Sequence, residues 1–359
     1  MIITTKRSGE YALIDVPRAR VHSLKVKFLV TPVGLMMGNI VSARRLKEAL
    51  LNEGVTVSDD RAEREYDVLH VHTPIPPWNA LEVREAKKKG IPVVIHAHTS
   101  AEDAEGTWTG SGLLSGWVGR YLSWFYNKAD LVLTPSEWTS GRLRARGLRA
   151  PVEVLSNGID PERFRFDQER GRRFRERYGI PIRRRVAYII GVVCLKKGIE
   201  VLPEVARAVP EMDFVWVGRR SNLYHPFKVG RAIGRCPGNV RFIHDVQDIL
   251  DAHCGCDVFF TPSFAENQGV ALMEAMAVGR PVVARDLPVY EGLLRNESSA
   301  LLGNSAVDFA TALKRLGGDE GLSESLAREG RAALDSHDIR KVAKRLVSIY
   351  DSLLRRKSF

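Results

Sequence analysis

The sequence predicts an α/β protein of two doubly wound domains facing each other across a cleft. Three observations carry this. Strand-sized apolar runs alternate with helical patterns along most of the chain. The alternation comes in two series. A turn-rich segment at residues 152–161, with Asn157-Gly158 and Asp160-Pro161, separates them. The first series opens with a strand at 25–30 and continues through 68–71, 92–95 and 131–134. Helical patterns lie between, over 40–53 and 80–89. The second series reads as strands at 186–190, 214–217, 240–243, 258–260 and 281–284. The domains are therefore expected at 1–160 and 161–338, with a final helix over 339–354. Residues 1–24 precede the first strand and carry no readable role. No internal repeat appears beyond the loose similarity of the two halves.

A chain of 359 residues is long enough for two ordinary cores. Its 44% hydrophobic and 27% charged content is that of a globular protein. No apolar run approaches the roughly 20 residues of a membrane span; the longest, 186–195, is strand-sized. The first residues lack the apolar centre of a secretory signal, so a cytoplasmic location is expected. Four cysteines do not suggest a disulfide scaffold. Cys254, Cys256 and adjacent His253 lack the second half of a usual metal site. The net charge of +11 is spread over Lys6, Arg7, Arg18 and Arg20, then Arg44, Arg45 and Lys47, then an arginine run at 170–177 and Arg183–Arg185. Such surfaces favour phosphate-rich partners, nucleic acid or anionic membrane; for any one cluster solubility is sufficient reason.

The most informative stretch is residues 263–281. Glu266 and Glu274 stand eight positions apart around Gly269. A buried strand at 257–261 leads in. Beyond Gly269, the residues Val270, Leu272, Met273, Met276 and Ala277 give a helical apolar face that stops at Gly279 and Pro281. The peptide N–H groups near Gly269, Val270 and Ala271 are then unpaired at a helix N-terminus, which attracts phosphate. Glu274, about two turns inside, can accept from sugar hydroxyls of the same ligand. A nucleotide-diphosphate sugar suits the combination.

This stretch resembles the glutamate–seven–glutamate signature of the retaining glycosyltransferases of family 4, which have two Rossmann-like domains in the GT-B arrangement. The segment at 157–160 also resembles the interdomain junction of that family. The resemblance covers roughly residues 25–350, with motifs in the expected order. It implies that the final helix packs back on the first domain. It implies that Glu274 binds the nucleotide ribose and that Glu266 lies near the donor sugar. Lys197, after Gly191, matches the family lysine that holds the diphosphate. Arginine usually follows that glycine; here Val192 does, and Arg219 is a substitute candidate. His98, before Thr99, matches the histidine beside the transferred sugar, and His72 is expected on the acceptor side. His70 and His96 read equally as core residues. Gly38 fits the loop over the donor phosphates, although Asn39 replaces a second glycine. Asn267-Gln268, in place of glycine–phenylalanine, and residues 284–291 resemble enzymes that glycosylate diacylglycerol.

Residues 108–126 are rich in aromatics, among them Trp108 and Trp117. They read either as a membrane-interface segment on the acceptor side or as a buried helix beside the cleft. Gly110, Gly112 and Gly116 have the wrong spacing for a dinucleotide fingerprint. No Asp-x-Asp occurs, so no metal and no other cofactor is expected, with peptide N–H groups and Lys197 meeting the diphosphate. The leading expectation is transfer of a hexose to a glycerolipid-type acceptor by an enzyme peripheral on the inner membrane face. The same chemistry on a soluble sugar or glycan is the nearest rival. A non-catalytic nucleotide-sugar sensor and a nucleic-acid-binding protein are rivals of other classes; no nucleic-acid recognition motif is evident, and no nucleic-acid partner is expected.

Overall fold

The computed structural model describes residues 24–31, 37–98, 111–220 and 225–357. It contains two six-stranded sheets in which every strand pair is parallel. In the first lobe the strands are β1 (Lys25–Leu29), β2 (Thr56–Ser58), β3 (Val68–Val71), β4 (Val93–His96), β5 (Leu131–Thr134) and β6 (Val152–Val154). Their order is β2-β1-β3-β4-β5-β6. The chain runs outward from β1 and returns to its other side, so the order reverses between β1 and β3. The first-lobe helices are α1 (Met37–Asn52), α2 (Asn79–Lys88), α3 (Ser111–Tyr126) and α4 (Glu137–Ala145).

After helix α5 (Gln168–Arg177), the second lobe holds β7 (Arg185–Ile190), β8 (Met212–Val217), β9 (Val240–Ile243), β10 (Val258–Thr261), β11 (Val282–Arg285) and β12 (Leu301–Gly303). Here the order is β12-β11-β10-β7-β8-β9, reversing between β7 and β10. In open parallel sheets such a reversal leaves a crevice at the carboxyl ends of the strands, where ligands bind. Helices α6 (Leu202–Ala208), α7 (Pro226–Gly234), α8 (Ile249–Gly255), α9 (Val270–Val278), α10 (Ala306–Gly318) and α11 (Glu320–Ala332) complete the lobe.

Each sheet is covered on both faces. In the first lobe one face buries Val26, Phe28, Leu46 and Leu50 together with Val342, Leu346, Ile349 and Tyr350 of α12 (Ile339–Lys357). The last helix of the chain thus completes the first lobe's core. Its entry is tight. Ile159 exchanges backbone hydrogen bonds with His337 and Ile339 at 2.8 and 2.9 Å. Gly158 has φ +76°, and a Cβ there would lie 2.3 Å from Ile339 Cδ1. The interdomain asparagine–glycine turn is therefore needed as glycine on two counts.

The arginine run of α5 is not one positive surface. Arg175 is buried, bound to Asp257 at 2.7 Å and to four backbone carbonyls. Arg170 bonds Asp251 and Asp248, and Arg172 bonds Glu169 and Glu176. Among the described residues no helix is long and apolar enough to cross a membrane.

Candidate active site

The reversal between β7 and β10 brings two predicted residues together. Beyond β7 the chain passes Gly191 at φ +138°. A Cβ on Gly218, after β8, would lie 1.9 Å from the Gly191 carbonyl, so these two turns touch backbone to backbone. A single 3₁₀ turn, Leu195–Lys197, follows and ends at Gly198, φ +82°, which sits against the Pro262 carbonyl at the end of β10. That contact sets Lys197 beside the loop after β10. Its Nζ lies 2.5 Å from Glu266 Oε1, and both side chains are largely withdrawn from solvent. Cation and carboxylate thus stand together at the crevice.

Three residues further on, α9 starts at Gly269, φ +80°, with no side-chain cap. Helices α4, α5, α8, α10 and α11 are all capped by Ser or Asp. Val270 and Ala271 are half-buried at this bare end. The uncapped start leaves peptide N–H groups for an anionic ligand.

Glu274 is not open to the cleft. Its Oε1 takes an ion pair at 2.6 Å from Arg45 of α1, in the other lobe, and its Oε2 lies 3.4 Å from His253 Nε2. Burial pushes this carboxyl up, but His253 and the Arg45 guanidinium outweigh it and hold the group below the usual glutamate value. Arg45 stacks over Phe164, 4.9 Å from the ring centroid. Its Nε and Nη1 are buried and have no hydrogen-bond partner among the described residues. Sequence reading placed Arg45 only in a basic cluster. The signal was present: Ser42, Ala43, Leu46, Ala49 and Leu50 are the buried face of α1, and Arg45 falls within it at helical spacing.

The other lobe contributes histidines. His72 and His98 follow β3 and β4, and His72 Nδ1 is 3.1 Å from His98 Nε2. Both are buried. Burial pushes His98 down to about 4, a hydrogen bond with Asn157 opposing the shift, so the ring is neutral at neutral pH. The Glu266 loop reaches across to this strand end. Asn267 Nδ2 donates to the His98 carbonyl at 2.8 Å, and the hydroxyls of Ser136 and Thr139 donate to the Asn267 carbonyl. Next to it, Gln268 Oε1 accepts from the Asn157 N–H at 2.9 Å and its Nε2 donates to Ser156 Oγ at 2.8 Å. The unusual Asn267-Gln268 pair therefore ties the lobes together. Beside Glu266 a recess of about 300 Å³ opens between them, lined by Trp138, Arg142, Phe264, Leu287 and Val289.

The backbone of Arg219 lies beside the Gly191 turn, its carbonyl accepting from the Val193 N–H at 3.0 Å. The Arg219 guanidinium is exposed and bonds Asp245 at 2.7 Å, not Lys197 or Glu266. Val192 is exposed. Gly38 belongs to α1 rather than to a loop before it. Trp117 is 74% exposed on α3, while Trp108 and Thr99 lie outside the described residues. His253, beside the Cys-x-Cys pair, bonds the Tyr188 hydroxyl at 2.8 Å.

Two family models cover most of the chain. "Glycosyltransferase Family 4" matches residues 2–163, and "Glycosyl transferases group 1" matches 184–319. The chain belongs to the family 4 glycosyltransferases and has the GT-B fold. It is 26% identical over 314 residues to a processive diacylglycerol alpha-glucosyltransferase of Acholeplasma laidlawii, covering 87% of this chain and 92% of the relative. It is 27% identical over 373 residues to a phosphatidyl-myo-inositol mannosyltransferase of Mycobacterium leprae, covering 95% and 91%. The crystal structure of Anabaena Alr3699/HepE with UDP-glucose superposes with a TM-score of 0.74 at 19% identity, covering 92% of this chain and all of that one. A sucrose-phosphate synthase from Thermosynechococcus elongatus gives 0.78 at 16% identity, covering 93% and 100%.

Proposed function

We propose that this glycosyltransferase moves a hexose, with retention, from a nucleotide-diphosphate sugar to a lipid acceptor at a membrane surface. The observation that carries the donor half is the Lys197–Glu266 pair at the reversal of the second sheet, beside the uncapped start of α9. A leaving diphosphate gains negative charge as the sugar–oxygen bond breaks. Lys197 and the N–H groups of Val270 and Ala271 are aimed at that charge, which lowers the barrier without a metal at this site. Arg45 would supply a second cation where Val192 stands in place of arginine. Its two unpartnered nitrogens are already buried beside Glu274. The ribose hydroxyls would share Glu274 with it.

Glu266 sits where the sugar would lie, able to hold a hydroxyl or balance positive charge on the anomeric carbon. In a front-face displacement the acceptor oxygen bonds that carbon from the side the phosphate leaves. The acceptor proton passes to the departing phosphate oxygen, and a nucleoside diphosphate is released. The recess beside Glu266 favours an amphipathic acceptor, with its hydroxyl at the carboxylate and its apolar part against Trp138, Phe264 and Leu287. The two lipid-modifying relatives support the same acceptor class, and the UDP-glucose complex of the structural neighbour suggests a UDP-sugar.

The test is transfer of label from UDP- and GDP-hexoses to diacylglycerol or phosphatidylinositol in mixed micelles. Wild type is expected to yield glycolipid, and Lys197→Ala and Glu266→Ala to lose most turnover while keeping the wild-type melting temperature within a few degrees. Unchanged turnover in both variants would falsify the site. Transfer to free sugars but to no lipid would move the acceptor to the soluble class.

A further inference from the structure

We propose that His70, His72 and His96 bind a divalent transition-metal ion inside the first lobe, zinc being the ion their chemistry suits best. The fold gathers these rings. His70 and His72 are two apart on and just past β3, so they point to one face of the sheet. In the β3–β4 register His70 stands opposite Val94, so His96 falls opposite His72 and on the same face. All three are buried to within 1% of full burial, and one candidate ligand nitrogen from each lies within 4.8 Å of the others. Three imidazoles around one zinc at about 2.0–2.1 Å set their donor nitrogens roughly 3.3 Å apart. The His70 and His72 rings stack at 4.2 Å and 25° in this structure, so one of them must turn about its side-chain bonds for the lone pairs to converge on an ion.

The nitrogens that are spoken for are as informative as those that are not. His70 Nδ1 bonds the Tyr350 hydroxyl at 2.5 Å, and His72 Nδ1 bonds His98 Nε2 at 3.1 Å. In both rings Nε2 is left buried with no partner among the described residues, and both nitrogens of His96 are likewise unpartnered. A buried polar atom without a partner is costly. Four of them within one cluster point to an occupant that accepts lone pairs from several imidazoles at once. Metal-binding histidines characteristically have the second nitrogen fixed by a hydrogen bond, as His70 and His72 do here. Desolvation keeps the rings neutral, the form that binds metal. With Nε2 of His72 on the ion, its Nδ1–H donates to His98 and so fixes the tautomer of the ring in the cleft. The ion would brace β3, β4 and, through Tyr350, α12. It takes no part in the diphosphate chemistry, so the inference stands or falls separately from the proposed activity.

The experiment uses the full chain without a histidine tag. Elemental analysis after desalting is expected to find about one zinc per chain. Chelation should lower the melting temperature, and zinc should restore it. Cobalt added to the chelated protein should give the intense visible bands of a low-symmetry nitrogen site. His70→Gln and His96→Gln should lose the metal and the cobalt bands, while His244→Gln, at an exposed histidine, should keep both. Wild-type protein that retains no metal after growth in zinc, gains no thermal stability from zinc or cobalt and gives no cobalt bands overturns the proposal, whatever the variants do. The unpartnered nitrogens would then be those of a site filled by water.

Discussion

Glu274 is held by two partners from different places, Arg45 across the cleft and His253 beneath it. Removing one side of a buried pair strands the other charge, at a cost of about 3–5 kcal/mol. Arg45→Met is therefore expected to lower the melting temperature clearly and to weaken nucleotide-diphosphate binding, read by thermal shift with and without ligand. A variant that binds the nucleotide as tightly as wild type would remove Arg45 from the donor site. The pH dependence has a definite sign. The folded carboxyl of Glu274 is held below its ordinary value of 4.5. Its contribution to stability is present above that value and is lost as pH falls through the lower folded value. Glu274→Gln should flatten the acid limb of the stability curve below about pH 4.5 and leave its neutral shape unchanged. The motif spacing made Glu266, Glu274 and Lys197 legible, because it reports which elements the residues end. It did not report what faces Glu274, since Arg45 lies 229 positions away in another lobe. The residues Asn267 and Gln268 stand out in the sequence as unusual, but their role in joining the lobes exists only in the folded contacts.

At the scale of elements, long strands were readable and short edges were not. The segments β2, β6 and β12 have three residues each and lie at the margins of their sheets. Three residues carry too little alternation to register as a strand, and a central neighbour supplies the pairing. The same limit turned β6 into part of a turn-rich boundary. Helix α3, which the sequence reads either as a membrane-interface segment or as a buried helix, has one buried and one exposed face. Leu122, Phe125 and Tyr126 are buried in the first lobe's core, while Trp117, Arg120 and Trp124 are exposed at i, i+3 and i+7 on one face. Helix α9 depends on one backbone conformation. Gly269 is left-handed, and a Cβ there would come within 3.0 Å of the Tyr290 ring. Gly269→Ala should cost about 1–2 kcal/mol for the left-handed conformation alone. Because it displaces the N–H groups proposed for the diphosphate, nucleotide binding should fall more than stability does. Equal affinity measured by calorimetry would mean that the start of α9 does not touch the ligand.

The whole molecule is a first lobe closed by the chain's own last helix and a second lobe tethered to it by polar side chains. Among the described residues Asn267, Gln268 and the Arg45–Glu274 pair join the lobes by polar contacts, which suits surfaces that must part for a ligand. The charge of +11 acts at this scale too. Much of it is locally neutralised, as at Arg172, Arg184 and Arg315, so attraction to an anionic surface is a summed field rather than a single patch. A lipid acceptor requires that field to work together with an apolar foothold, and α3 presents Trp117 and Trp124, the latter with Lys128 4.1 Å from its ring centroid. Aromatic rings next to cations suit the headgroup region. The protein is therefore expected to float with phosphatidylglycerol vesicles at low ionic strength, and to be released as salt shortens the Debye length from about 30 Å at 0.01 M to about 8 Å at 0.15 M. Trp117→Ala with Trp124→Ala should weaken flotation at low salt while transfer to a short-chain, micellar acceptor is kept. Those two readouts separate docking from chemistry. If wild type stays at the bottom of the gradient at every ionic strength, the exposed tryptophans serve another partner and the acceptor is drawn from solution.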